Sequence, residues 1–368
     1  MPGLRSRSVG AMRLSEALNE GLRNILSGTA RALTLVLCLT VLVGGLVVAD
    51  VLASRAVLDS AAHFRSARAN VVVLAAPGHV SGSRCDSLTS FPGVHAAGAF
   101  RSRELRLVPA ALPGAPLTGY EVSSGFADLM DIRQGDGAGL LLAEDAADSL
   151  GLSASDRLVL VDSEAEIHGI YGWEDDGRRS GFGYAAFLPV ADSDGFDECW
   201  VDAWPRPPQL NDLLLNTQIP SASSASEKPQ MGQINTTLGT SFDGKSLYHS
   251  RLTRFAPWAA FAISVLIGWV FVRLRRLELA SAIHAGVSRG SLAAILGCEI
   301  GVWSTAVFVL SGSCTLLITA GITTADRTPI AEHGFAILAM SLCGAMLGTA
   351  VAFGATKEEH LFRYFKNR

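Results

Sequence analysis

The chain has 368 residues, 49% of them hydrophobic and 17% charged, with 34 acidic against 30 basic residues and a net charge of −4. Its mean hydropathy of +0.32 is too high for an ordinary soluble domain. No basic patch with interleaved aromatic residues occurs, which argues against a nucleic-acid partner.

Residues 1–31 open the chain. Leu14, Leu18, Leu22 and Ile25 fall on one helical stripe, with Arg13, Glu16, Glu20 and Arg23 off it. This predicts a cytoplasmic amphipathic helix, lying on the membrane surface or packed on a partner protein. An apolar run over 32–53 follows, and roughly 20 such residues suffice to cross a bilayer core. It stands behind a polar stretch and lacks a small-residue cleavage motif, so it reads as a retained signal anchor.

Residues 54–254 form a polar insert with 25 acidic and 16 basic residues, net −9, against +5 for the rest of the chain. Asn70 to Ala76 reads as a buried strand and Ser83 to Ser90 as a short helix, followed by a Pro92-Gly93 turn and strand material. Gly139 to Leu152 begins as a strand and becomes a helix. Arg157 to Asp162, Ala165 to Trp173, Phe187 to Val190 and Glu198 to Trp204 read as strands, and Leu210 to Asn216 as a short helix. A Ser-rich linker occupies the region near 220–230. The mixture is α+β.

Three further apolar runs, 255–272, 292–322 and 335–355, complete a four-span layout, with residues 323–334 as a short loop and 356–368 as a tail. Basic residues flank one side of these spans: Arg5, Arg7, Arg13, Arg23 and Arg31, then Arg273, Arg275, Arg276 and Arg289, then Lys357, Arg363, Lys366 and Arg368. By the positive-inside rule both termini and the 273–291 segment are cytoplasmic in a multi-pass cell-membrane protein, and the 54–254 insert is extracytoplasmic.

Of six cysteines, Cys85 and Cys199 alone fall in that insert. Two cysteines in an oxidising compartment invite a disulfide; the alternative is two separate thiols. Asp192, Asp194, Asp197 and Glu198 cluster in seven residues, but the glycine spacing is wrong for a calcium loop, and a solvated loop is the plainer reading. The insert's histidines lack zinc-ligand spacing, so no metal site is expected. No catalytic constellation is found, and the chain is not expected to be an enzyme.

The segment 273–291 carries the functional signal. It predicts a short helix over Leu277 to Ala285 closed by Gly286, since glycine tolerates the left-handed cap. It is either a surface for a cytoplasmic partner or an ordinary charged loop. Glu299 lies about two turns into the next span, where a charge is costly. It either ties that span to another element or snorkels to the headgroups. Gly297 with Gly301, and Gly344 with Gly348, are small-xxx-small pairs suited to close helix packing within a subunit or across a dimer.

These features resemble the MacB/FtsX-like permeases of ABC transporters. The family's R-x-x-E-x-A-x-x-x-x-x-G helix matches Arg275, Glu278, Ala280 and Gly286, followed by Ser288 and Arg289, and its glutamate at the start of span three matches Glu299. The run from Val122 to Trp173 is similar to the family's periplasmic core, with Ser155-Asp156 where Gly-Asp is usual. The resemblance implies four transmembrane helices with a MacB-like periplasmic core between spans one and two. It further implies a homo- or heterodimer engaging an ATPase in trans, with Arg275 to Arg289 as the coupling element. The resemblance also implies that ATP is bound by the partner ATPase and no cofactor by this chain. Two other readings stand beside this one: an FtsX-like mechanotransmitter that activates a cell-wall hydrolase, and a membrane sensor without an ATPase.

Overall fold

The structure, a computed structural model, describes residues 19–20, 23, 32–132, 139–191, 195–220 and 228–357. The stripe predicted over 14–25 lies outside them apart from 19–20 and 23, as do Asp192 and Asp194. The chain divides into two compact units, residues 1–59 with 244–368, and residues 60–243.

The former unit contains α1 (Ala32–Leu39), which passes through one π-helical turn at Thr40–Gly44 into α2 (Gly45–Ser66). The helix outruns the predicted 32–53 span. Beyond it Arg55 and Asp59 stand at i,i+4, 3.9 Å apart, a spacing that favours helix continuation.

The 60–243 unit contains β1 (Val71–Val80), α3 (Gly82–Asp86), β2 (Val94–Leu107), β3 (Leu117–Val122), α4 (Phe126–Leu129) and β4 (Leu140–Ala143). Then come α5 (Glu144–Leu150), β5 (Arg157–Val159), β6 (Glu164–Tyr171), β7 (Ala185–Pro189), β8 (Phe196–Ala203), α6 (Leu210–Leu215) and β9 (Gln230–Gln233). The strands form one mixed sheet in the order β5-β6-β4-β7-β3-β2-β8-β1-β9. The β3–β7 and β4–β6 pairs are parallel and the others antiparallel.

Both faces of the central strands are covered, which is why β1 reads as an unbroken apolar run. Val71 and Val73 enter a core with Phe100, Phe126, Phe187 and Trp200. Val72, Leu74 and Ala76, pointing the other way by the strand's two-residue period, enter a second core with Cys85, Cys199 and Leu210. Cys85 and Cys199 are bonded in that second core, with Cα atoms 5.8 Å apart, and fasten α3 to β8.

Two strands lay outside the sequence expectations. β3 was not read as a strand. β9 begins at Gln230, inside the stretch read as linker, and pairs with residues 72–75 of β1. Three of its four residues are exposed, so its place in the sheet comes from backbone pairing and leaves little alternation to read. Ser155 has φ +73°, the left-handed region, which explains why glycine is the usual residue of that turn in the family it resembles.

The chain then forms α7 (Gly244–Ser250), a 3-10 turn (Leu252–Phe255), α8 (Ala256–Leu274), α9 (Arg276–His284), α10 (Arg289–Ile318) and α11 (Thr324–Gly354). Among the described residues four helices are long and apolar enough to cross a membrane: Leu33–Ser66, Leu252–Leu274, Arg289–Ile318 and Thr324–Gly354. The last corrects the loop read over 323–334, which forms the opening turns of α11. Thr323 caps them: its hydroxyl meets the Asp326 amide at 3.4 Å and the Asp326 carboxylate at 2.8 Å.

Helices α8 and α11 pack most closely. A side-chain carbon at Gly344 or Gly348 would collide with the carbonyls of Phe261 or Val265, and one at Gly268 with that of Ala345. Ser264 and Ser341 hydroxyls meet across this contact at 2.7 Å. Gly297 and Gly301 behave differently, because a Cβ there meets nothing within 4 Å. Among the described residues nothing packs against this second small-residue pair, and Gly301 borders a cavity of about 280 Å³ with Leu39 and Val307.

Candidate functional site

The candidate site is built on α9. Its sequence, RLELASAIH, buries Leu279 and Ala280 and leaves Glu278 exposed. Leu279 joins Phe271 and Val272 of α8, Leu292, Ile295 and Leu296 of α10, and Ala352 of α11 in one cluster. The helix is therefore anchored through one face and open on the other.

Both ends of α9 are fixed. At its C-terminus the Gly286 amide donates to the Ile283 carbonyl at 3.0 Å and the Val287 amide to the Ala282 carbonyl at 3.0 Å. This is a Schellman closure, and Gly286 takes the left-handed conformation it needs, with φ +90°. At the N-terminus Arg275, itself 8% exposed, donates from Nε at 3.0 Å and Nη2 at 2.8 Å to the Glu278 carboxylate. Its Nη1 donates to Glu299, whose side chain is fully buried. One guanidinium thus joins the α8–α9 corner to α10. An arginine fork suits this task, because it holds two carboxylates in fixed directions.

The remaining matched residues have plainer places. Ser288 caps α10, its hydroxyl accepting from the Ser291 amide at 3.1 Å. Arg289 reaches the Thr356 carbonyl at 3.5 Å. The site thus brings together Arg275, Glu278, Ala280, Gly286 and Glu299 around one helix, with Ser288 and Arg289 in the turn that follows. Nothing in it resembles a nucleophile with a base. Among the described residues no three His, Cys, Asp or Glu side chains are placed to hold a metal. In the acidic run, Asp197 accepts from the Gly78 amide at 2.7 Å and from the Ser102 amide at 2.8 Å. Glu198 accepts two bonds from Arg179 and one from the Trp200 indole.

A second buried charge cluster was missed from the sequence. Asp50 of α2 is fully buried, with Arg251 Nη1 at 3.4 Å and His333 Nε2 at 3.6 Å from its two carboxylate oxygens. A signal existed, since Asp50 is an acid inside the 32–53 apolar run, and the reasoning applied to Glu299 applies equally to it.

No protein-family model matches the chain, and no curated protein matches it. Among solved structures it is similar to the periplasmic region of MacB from Actinobacillus actinomycetemcomitans, with TM-score 0.31 and 9% identity, covering 40% of this chain and 82% of that one. It is also similar to the extracellular domain of the noncanonic ABC-type transporter YknZ from Gram-positive bacteria, with TM-score 0.27 and 11% identity, covering 39% of this chain and 88% of that one.

Proposed function

We propose that this chain is the membrane subunit of a MacB-like ABC transporter, a permease that couples ATP hydrolysis on a separate ATPase to motion of its 60–243 unit for export or extraction of a substrate. In this reading the four apolar helices cross the cell membrane and α9 faces the cytoplasm with both termini. The 60–243 unit is extracytoplasmic, and two permease subunits act as a pair. The chain itself catalyses nothing and binds no cofactor.

The observation that carries the reading is the joint at Arg275. A loop that only connects two spans has no use for a buried guanidinium bridging Glu278 and Glu299. A helix that receives force does, because a push on α9 then reaches α8 and α10 without being lost in a flexible corner. The exposed side of α9 and its turn, with Glu278, Ser281, His284 and Val287, supplies the contact surface.

The test joins copurification with one variant. Extracted in mild detergent, the tagged chain should bring down a P-loop ATPase in stoichiometric amount. Gly286→Asp forces an L residue into the left-handed region, at about 1–2 kcal/mol. It should lower transporter-stimulated ATPase activity roughly tenfold while the protein still inserts. Absence of any ATPase, or undiminished coupling in the variant, would remove the reading.

A further inference from the structure

The Asp50 cluster has no part in the function just proposed. Asp50 lies on α2, Arg251 just before the 3-10 turn and His333 on α11. Its carboxylate is fully buried, yet neither oxygen has a hydrogen-bond partner among the described residues, and neither does His333 Nε2. Arg251 is occupied mainly elsewhere. Its Nε donates to the Tyr248 carbonyl at 2.9 Å, its Nη1 to the Asp50 carbonyl at 3.3 Å and to the Ser54 hydroxyl, and its guanidinium stacks 3.8 Å over the Tyr248 ring.

The surroundings narrow what can complete this carboxylate. On α2, Arg55 is turned to the Ile318 carbonyl at 2.7 Å and to Asp59. Thr315 of α10 and Thr319 at its C-cap are buried and uncharged, and their hydroxyls bond to carbonyls of the same helix. On α11, Glu332 is exposed and Arg327 half-buried. Arg254 is spent on the His249 carbonyl at 2.7 Å. The side chain placed to give Oδ2 a donor is His333, whose side chain is 27% exposed while its Nε2 is buried against Asp50.

We propose that Asp50 and His333, framed by Arg251, form a proton-binding site inside the helix bundle, and that the bound proton latches α11 to α2. The proton is taken up by the His333 ring, converting the imidazole to an imidazolium whose Nε2–H faces Asp50, and no other bond forms or breaks. Imidazolium and carboxylate then close from 3.6 Å to a charge-assisted hydrogen bond. When the proton leaves, the carboxylate keeps only Arg251 and the latch loosens. Imidazole suits this role because its charge changes between about pH 5 and 8. The ligand class is the proton, and the inference stands on the bundle alone, whether or not an ATPase is engaged.

The test is thermal unfolding of the full chain in lipid nanodiscs from roughly pH 5 to 8. Stability from an imidazolium–carboxylate pair is present at the acidic end and absent at the alkaline end. The Tm of the wild-type chain should therefore fall by roughly 2–4 °C more across the range than that of His333→Gln. Asp50→Asn should flatten the profile in the same way. His333→Lys, charged throughout, should keep its acidic-end Tm at pH 8. A purely structural role would change Tm equally at every pH. If His333→Gln and Asp50→Asn both keep the wild-type pH profile, or His333→Lys follows it, the proposal is overturned.

Discussion

The helix unit holds two buried charge clusters, and they are built on opposite terms. Around Arg275 the guanidinium is engaged on three nitrogens by two carboxylates. Around Asp50 the carboxylate is equally buried, but its two basic neighbours stand at 3.4 and 3.6 Å and neither oxygen is hydrogen-bonded among the described residues. Burying a charge is tolerated where polar partners replace the lost water. The first cluster meets that condition and acts as a rigid joint. The second falls one donor short, and a site one donor short responds to a proton.

The sharpest way to break this comparison is to remove the acid from each cluster. Glu299→Ala leaves Arg275 buried beside α10 with one carboxylate fewer, and should destabilise the helix unit by about 3–5 kcal/mol. Asp50→Asn should cost distinctly less at neutral pH. Its oxygens have no hydrogen bonds to lose, and Arg251 keeps the Tyr248 carbonyl and Ser54. Denaturant unfolding of both variants in the same micelles measures the gap. Equal losses would show that donor count does not separate the clusters.

How far each cluster was legible follows from how local it is. Arg275 and Glu278 are three residues apart on one helical face, and Glu299 interrupts an apolar run, so pattern alone drew attention to all three. Asp50, Arg251 and His333 were assigned to a span, to the insert and to a loop, and only tertiary packing brings them together. His333 was hidden because Pro329 and the polar run from Thr323 suggest a loop, whereas the Thr323–Asp326 cap starts a helix there. In the 60–243 unit the apolar strands β1 and β8 were legible from composition. Edge strand β9 was not, since backbone pairing with β1 places it and its side chains face out. The glycine pairs were equally visible in sequence, but which of them packs depends on what lies opposite.

That last point gives an intermediate effect. The α8–α11 contact holds the helix that ends at Arg275 against the helix that carries His333, so it underlies both clusters. Gly348→Ala drives a methyl group into the Val265 carbonyl and should cost about 1–3 kcal/mol, because two backbones must separate. Gly301→Ala adds the same methyl beside an open cavity and should be near neutral. Thermal unfolding of the pair in one lipid composition checks this. A loss at Gly301 matching that at Gly348 would mean that a partner outside this chain covers Gly301.

A third carboxylate, outside the helix unit, tests whether donor count ranks buried acids in general. Asp202 on β8 accepts from Asn70 Nδ2 at 2.6 Å, and burial raises its pKa above the ordinary aspartate value of 3.8, against the pull of His95, Arg65 and Arg68. A raised folded-state pKa means that the native chain holds the proton more tightly than the unfolded chain. Its contribution to stability therefore declines as pH climbs from 3.8 through the raised value, and the penalty is complete at neutral pH. Asp202→Asn removes the charge while its amide oxygen still accepts from Asn70. The variant should be slightly more stable than wild type at pH 7, by less than about 1 kcal/mol, and the gain should vanish below 3.8. Unfolding of the full chain at the two pH values reads the difference. A loss at pH 7 instead would mean that the three basic neighbours outweigh burial, and that nearby charge ranks these sites better than the number of donors.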